Sequence, residues 1–162
     1  MNRIESTVPD EPTAIVKQDR ESEYSGPVTV TPLTFAGKTI RVVRPAEPDR
    51  MLDDPIVREW NLADDYMPYW AYLWPGSFLL AKVIASEPWP VASEGSRQKP
   101  LHALEIGCGV GLAGLTALAC GLHVAFTDYD RAALHFVSRS ARENGFPETS
   151  YTTGTLDWRE PA

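Results

Sequence analysis

The stretch Leu104-Glu105-Ile106-Gly107-Cys108-Gly109-Val110-Gly111 places three glycines at alternate positions between a short apolar segment and a helical pattern. Glycines in such a strand-to-helix turn permit positive φ and let the backbone approach a ligand closely. The helix that follows presents unpaired N–H groups at its N-terminus to a carboxylate or a phosphate. The stretch therefore predicts a ligand-binding turn, and the alternative is an ordinary β-to-α connection.

The order strand, turn, helix repeats downstream of this stretch. Short apolar segments predict strands at 102–106, 123–127 and 151–156. A helix is predicted at 112–120, and a second one begins after Asp130, whose side chain is suited to cap it. Strands that alternate with helices through tight turns imply parallel pairing and right-handed crossovers. The second half of the chain is therefore predicted to be a doubly wound α/β sheet.

The first half of the chain has a different pattern. Residues 28–43 predict a β-hairpin with its turn at Gly37. Asp54, followed by a proline, predicts the start of a short helix, and Pro75 is placed to open another. The segment 87–100 is rich in proline, serine and charge, so it is predicted to be a loop that joins the two halves.

Composition indicates one globular domain with neither a nucleic acid nor a membrane as its partner. The chain has 162 residues and a formal net charge of -7, which disfavours binding to a phosphate backbone. No apolar run approaches the ~20 residues of a membrane span. The two cysteines, Cys108 and Cys120, favour a reducing cytoplasm over a disulfide-stabilised fold. His102, His123 and His135 lack metal-ligand spacing, so no metal site is expected.

The glycine-rich stretch is compatible with two kinds of nucleotide site. Gly109-Val110-Gly111-Leu112-Ala113-Gly114 fits the dinucleotide pattern GxGxxG, and Asp128 follows at a distance suited to a ribose ligand. Glu105 distinguishes the two sites, because a buried anion there repels a pyrophosphate but suits the cationic amino group of S-adenosylmethionine or a hydrogen-bonded network beneath it. We therefore favour a methyl-donor site, and an NAD-dependent oxidoreductase is the distant alternative.

Polar residues at the ends of the second and third predicted strands are candidates for binding the nucleoside. Asp128 lies at the carboxyl edge, where ligands of open α/β sheets bind, and a carboxylate there can accept both ribose hydroxyls. The neighbouring Asp130 is assigned to the helix cap. Asp157 and Trp158 can meet an adenine through a hydrogen bond and an indole face, and the alternative is that Trp158 covers the edge of the core.

The chain resembles a known enzyme group at four segments. They are Pro68-Tyr69-Trp70-Ala71-Tyr72-Leu73-Trp74-Pro75-Gly76, the stretch at 104–111, Thr127-Asp128 and Leu156-Asp157-Trp158. Together they resemble the small methyltransferase-like group of the seven-β-strand S-adenosylmethionine-dependent methyltransferases. This group includes the lysine methyltransferase that acts on the electron transfer flavoprotein β subunit, and relatives described as nicotinamide N-methylase-like. The resemblance runs from about Val28 to the C-terminus.

The resemblance implies a Rossmann-like class I methyltransferase sheet, preceded by an N-terminal β-hairpin and helices. The residues that it implies for S-adenosylmethionine are Glu105, Gly107, Gly109 and Gly111 at the methionine moiety, Asp128 at the ribose, Asp157 and Trp158 at the adenine, and Trp74 as a cover over the donor.

The expected domain organisation departs from that of the family. Residues 1–27, rich in Glu, Asp, Ser and Pro, are predicted to be a disordered arm. Residues 28–162 are predicted to be a partial methyltransferase domain, with a hairpin and helix cap at 28–99 and the glycine-loop half of the core at 100–162. This length holds only the first three strands of the family's sheet. We therefore expect a C-terminally truncated fragment whose apolar strand faces are left exposed.

The expected reaction is methyl transfer from S-adenosylmethionine to the nitrogen of a protein lysine, because the resemblance includes a lysine methyltransferase and an acidic surface suits a basic target. Tyr69, Trp70 and Tyr72 are candidates to wall the acceptor amine, and the alternative is that they pack the amino-terminal segment onto the sheet. Two other functions stay open: a small-molecule N-methyltransferase and a truncated, non-catalytic nucleoside-binding remnant. No catalytic residue and no oligomeric state are predicted.

Overall fold

Two small sheets and four α-helices make up the structure, a computed structural model that describes residues 24–90 and 99–159. The strands are β1 (Val28–Phe35), β2 (Lys38–Pro45), β3 (His102–Ile106), β4 (His123–Asp128) and β5 (Tyr151–Thr155). The α-helices are α1 (Pro55–Asp64), α2 (Pro75–Ser86), α3 (Leu112–Ala119) and α4 (Arg131–Glu143), and short 3-10 helices span Pro48–Asp53, Tyr69–Ala71 and Glu148–Ser150.

The N-terminal hairpin forms where the sequence predicts it. Strands β1 and β2 pair antiparallel from Val28 opposite Pro45 to Phe35 opposite Lys38. Ala36 and Gly37 make the two-residue turn, with φ angles of 45° and 79°. Two consecutive positive φ angles match the right-handed twist of paired strands, which is why such turns favour glycine. The predicted turn at Gly37 is confirmed.

The outer edge of the hairpin is covered by two side chains, Ser140 in α4 and Asn144 directly after it. The Asn144 amide oxygen accepts the N–H of Arg41 at 2.9 Å, and its NH2 group donates to the carbonyl of the same residue at 2.7 Å. One helical turn earlier, Ser140 Oγ accepts the N–H of Val43 at 2.9 Å. The two side chains thus replace a neighbouring strand, which satisfies edge groups that would otherwise pair with another chain.

This arrangement makes Ser140 a stability determinant. The side chains of Ser140 and Val43 are buried, so Ser140→Ala leaves the Val43 N–H without its acceptor. The free energy of unfolding is expected to fall by about 1–3 kcal/mol, measured by urea denaturation. Ser138→Ala is the matched control, since its hydroxyl donates to the Leu134 carbonyl inside the same helix. Equal unfolding midpoints for the two variants would contradict this role.

The second sheet is parallel, in the order β3-β4-β5. Because the strand order runs in one direction, right-handed crossovers place α3 and α4 on the same face. Val124, Phe126 and Asp128 point to that face and are buried. On the other face, Leu104 and Ile106 are 61% and 58% exposed. The expected α/β fold with exposed strand faces is confirmed for the described residues, but the winding covers one face only.

Helix α3 lies at the centre of the core. All residues from Leu112 to Leu118 are buried, because α2, β2 and the parallel sheet pack around it. A helix that is apolar on every side needs such enclosure. It begins directly after the glycine stretch, so a buried helix fixes one end of the predicted ligand turn.

Two predicted segments fall largely outside the described residues, namely most of the arm at 1–27 and most of the loop at 87–100. The last four residues of the predicted arm are described, and two of them contact the rest of the fold. Tyr24 contacts Phe136 edge to face with ring centroids 5.6 Å apart, and the Pro27 carbonyl accepts the N–H of Ala46 at 2.8 Å. The expected arm boundary is therefore wrong for residues 24–27, because an aromatic contact attaches them to α4. Within 24–90 and 99–159, the helices are all too short or too polar to cross a bilayer.

Candidate functional site

The glycine stretch forms a turn of positive φ between β3 and α3. Gly107, Gly109 and Gly111 have φ angles of 63°, 52° and 77°, which confirms the backbone conformation expected from their alternate spacing. The N–H of Cys108 donates to the Thr127 carbonyl at 2.9 Å, so the turn stays attached to the end of β4. The turn therefore leaves the sheet at its carboxyl edge, where ligands of open α/β sheets bind.

The three glycines face different surroundings. A Cβ at Gly111 would lie 2.7 Å from Val137 Cγ2, and one at Gly109 would lie 3.1 Å from the Trp70 carbonyl oxygen. These two positions are therefore packed against protein. A Cβ at Gly107 would have nothing within 4 Å. Gly107 is the glycine that leaves open space above the turn.

Glu105 lies beneath this turn, on the strand that leads into it. Its Oε2 accepts the N–H of Gly114 in α3 at 2.9 Å. Burial raises the pKa of this carboxyl to about 7, and the negative charge of Asp128 adds to that effect, while the Gly114 hydrogen bond opposes it. The structure thus keeps an ionisable carboxylate within the site at near-neutral pH.

Asp128 joins the end of β4 to the glycine turn. It is 4% exposed, its Oδ2 accepts the N–H of Gly109 at 2.9 Å, and its Oδ1 accepts the N–H of Asp130 at 2.9 Å. Burial raises the pKa of Asp128, and backbone hydrogen bonds from Asp130, Gly109 and Tyr129 oppose that rise. Each carboxylate oxygen can accept more than one hydrogen bond, so acceptor capacity is left for a ligand.

Asp130 caps α4, as the sequence predicts. Its Oδ1 accepts the N–H of Ala132 at 2.9 Å. Its Oδ2 accepts the hydroxyl of Tyr66 at 2.5 Å, a contact that the sequence analysis missed. Tyr66 lies just before the aromatic segment 68–76, but its partner lies 64 residues away and no local signal indicates it.

Comparison with known proteins now places this site in a family. A family model described as lysine methyltransferase matches residues 70–162, which is more than half of the chain. The chain belongs to this lysine methyltransferase family. The match covers the aromatic segment from Trp70 onward, the glycine turn and all three parallel strands.

The comparison with solved structures found a similar protein, the Pyrococcus abyssi tRNA (uracil-54, C5)-methyltransferase in complex with S-adenosyl-L-homocysteine. The identity is 17%, the TM-score is 0.38, and the alignment covers 54% of this chain and 19% of the other. This chain thus spans about a fifth of that protein's length. The comparison with curated proteins found no significant match.

The aromatic residues of the segment 68–76 divide into two groups. Trp74 and Tyr69 are 51% and 56% exposed, their rings lie 5.8 Å apart, and the Trp74 indole N–H donates to the Tyr69 carbonyl at 3.0 Å. Trp70 is only 5% exposed and packs on Phe136 with ring centroids 5.4 Å apart. The Trp70 ring is therefore a core side chain, which favours the alternative that it packs the amino-terminal segment onto the rest of the fold.

The predicted adenine residues follow β5. Asp157 forms a two-point ion pair with Arg159, with nitrogen-to-oxygen distances of 2.9 and 2.8 Å. Trp158 is 70% exposed, so it does not cover the edge of the core. A contact of either residue with adenine stays a prediction. If Asp157 binds adenine, its carboxylate must do so while it is paired with the Arg159 guanidinium.

Proposed function

We propose that this chain binds S-adenosylmethionine and serves methyl transfer to the amino group of a protein lysine. The observation that carries the proposal is the hydrogen bond from the Gly109 N–H to Asp128 Oδ2. It brings the positive-φ turn and a buried carboxylate together at the carboxyl edge of two parallel strands. This arrangement suits a ligand that has a nucleoside at one end and a zwitterionic group at the other.

The residues present fit the donor on three counts. The space above Gly107 is open, so its backbone is accessible to a ligand. Glu105 provides a carboxylate for the amino group of the methionine moiety. Asp128 has lone pairs for the ribose hydroxyls. A pyrophosphate would meet two buried carboxylates here, so the dinucleotide alternative is disfavoured.

The donor, when bound, supplies an electrophilic methyl group on a sulfonium. The protein's contribution is to align the acceptor amine with that group and to exclude water. The amine must be neutral to attack, and a desolvating apolar wall lowers its pKa. Tyr69 and Trp74, which are exposed and in contact, support this part of the proposal, since aromatic faces attract ammonium and sulfonium groups.

Lysine as the acceptor is supported by the description of the matching family and by the net charge of -7, which favours encounters with basic partners. A reducing compartment such as the cytoplasm belongs to the same proposal. Its support is that Cys108 and Cys120 are both free thiols.

Calorimetric titration of the 162-residue chain with S-adenosylhomocysteine tests donor binding, with circular dichroism to confirm that the chain is folded. We expect binding, and we expect Asp128→Asn to weaken it about 10-fold or more because an amide replaces a charged acceptor. Asp53→Asn, at an exposed ion pair with Arg58, is the matched control and leaves the affinity unchanged. A folded chain that does not bind the ligand would overturn the proposal.

A further inference from the structure

Tyr66 makes the link between the amino-terminal segment and the candidate donor site. It is buried, with 6% exposure, and its hydroxyl donates to Asp130 Oδ2 at 2.5 Å. The Trp70 indole N–H approaches the same hydroxyl oxygen at 3.4 Å. Burial and the charge of Asp130 raise the pKa of the phenol, so it stays protonated and remains a donor.

Asp130 connects the Tyr66 hydroxyl to Asp128. Both carboxylates are 4% exposed and only two positions apart, and the charge of Asp130 contributes to the raised pKa of Asp128. The N–H of Asp130 donates to Asp128 Oδ1 at 2.9 Å. In a buried pair of like charges, the loss of one hydrogen-bond donor has a large effect on the carboxylates, because the low local dielectric strengthens both hydrogen bonds and charge repulsion.

The same amino-terminal segment also lies close to Gly109, whose N–H is another donor to Asp128. A Cβ at Gly109 would lie 3.1 Å from the Trp70 carbonyl oxygen, and the Gly109 N–H donates to Asp128 Oδ2. The segment 66–70 thus lies behind two of the backbone donors of the Asp128 carboxylate, the N–H groups of Asp130 and Gly109. The side chain of Tyr66 acts at one of them and the backbone of Trp70 at the other.

We propose that Tyr66 is a positioning residue that orients the Asp128 carboxylate, through Asp130, toward the ribose hydroxyls of the methyl donor. The inference rests on the proposed function and adds a residue to its nucleoside half. The link ends at Asp128, so removal of the Tyr66 hydroxyl weakens recognition of the ribose and leaves the contacts of Glu105 with the methionine half in place.

The test compares two ligands that share the methionine half, S-adenosylhomocysteine and its 2′-deoxy analogue, by calorimetric titration of the full chain. The wild type is expected to prefer the ribose ligand about 10-fold, the effect of one hydrogen bond to a carboxylate. In Tyr66→Phe this preference is expected to shrink to about 3-fold or less. Loosening of the structure alone would weaken both ligands equally and leave their ratio unchanged.

Tyr24→Phe is the matched control. The Tyr24 ring packs on Phe136, and its hydroxyl donates to the Pro27 carbonyl at 3.0 Å rather than to Asp130. Its ligand ratio is expected to equal that of the wild type. Should Tyr66→Phe unfold, Asn61→Ala replaces it. The Asn61 amide donates to the Tyr66 carbonyl at 3.1 Å, so the loss of this hydrogen bond is expected to shift Tyr66 while its ring and hydroxyl stay intact. A smaller reduction of the ratio is expected there.

The outcomes separate this inference from the function on which it rests. If the folded wild type binds neither ligand, the proposed function is wrong. If the wild type discriminates between the two ligands and the folded Tyr66 or Asn61 variant keeps the full ratio, the positioning role is wrong while donor binding stands.

Discussion

Replacement of Gly114 by alanine is expected to lower the free energy of unfolding by about 3 kcal/mol or more, because the side chain has no room in the core. A Cβ there would lie 2.3 Å from Phe126 Cε1 and 2.4 Å from Glu105 Oε2. Phe126 is fully buried between the sheet and α3, so it has no space into which to move. Separation of helix and strand would also break the hydrogen bond from the Gly114 N–H to Glu105. Urea denaturation followed by circular dichroism measures the loss.

Gly76→Ala provides the control for this prediction. Gly76 lies in the first turn of α2, and a Cβ there would have nothing within 4 Å. Alanine at a compatible helical position is neutral or stabilises by up to ~1 kcal/mol. The two Gly-to-Ala changes thus have opposite expected signs. A Gly114→Ala unfolding midpoint equal to that of the wild type would show that α3 does not need this close approach to β3.

Elements whose signals are local in the chain are predicted well from the sequence. The side chain of Asp54 accepts the N–H of Ile56 and so caps α1, and Asp130 caps α4 in the same way. The positive φ of Gly37 closes the hairpin. In each case the chemistry that ends or starts the element lies within two or three residues of it, so the sequence carries the full signal.

Contacts between distant segments could not be predicted in this way. The exposed Tyr69 and the buried Trp70 are neighbours in one aromatic run, and the ring that enters the core is the one that meets the distant Phe136. Asn144 meets Arg41 across 103 residues. Such pairs depend on how the hairpin docks on α4, which hydrophobic periodicity does not specify.

In the candidate site, too, local features are predicted from the sequence and contacts between distant segments are not. The spacing of the glycines predicts their positive φ, and the strand order places Asp128 beside them. The sequence assigns Glu105 to the site by its charge, but its hydrogen bond to Gly114 and its raised pKa depend on how closely α3 packs. Burial of that carboxylate is a tertiary property, and it determines the pH range in which the charge is present.

Glu105→Gln is expected to raise the stability of the ligand-free chain above pH 7. Burial raises the pKa of Glu105 from 4.5 to about 7 in the folded state, so the unfolded chain loses this proton first. The wild type therefore loses stability as pH rises from 4.5 to 7, on the order of 2 kcal/mol, and the loss is constant above that range. Glutamine has no charge to bury and keeps an oxygen that can accept the Gly114 N–H. Thermal unfolding at a series of pH values measures the widening difference.

The same variant is expected to bind S-adenosylhomocysteine about 10- to 100-fold more weakly above pH 7, since the amino group of the ligand loses a carboxylate partner. Wild-type affinity should rise as Glu105 ionises toward pH 7, and this rise should be absent from the variant. Glu143→Gln, at an exposed ion pair with Arg41, is the matched control and changes stability by less than ~1 kcal/mol. A gain in stability together with a loss of affinity identifies a residue that the fold keeps for its ligand. A variant that loses stability and keeps its affinity would instead assign Glu105 to the packing of α3 on β3.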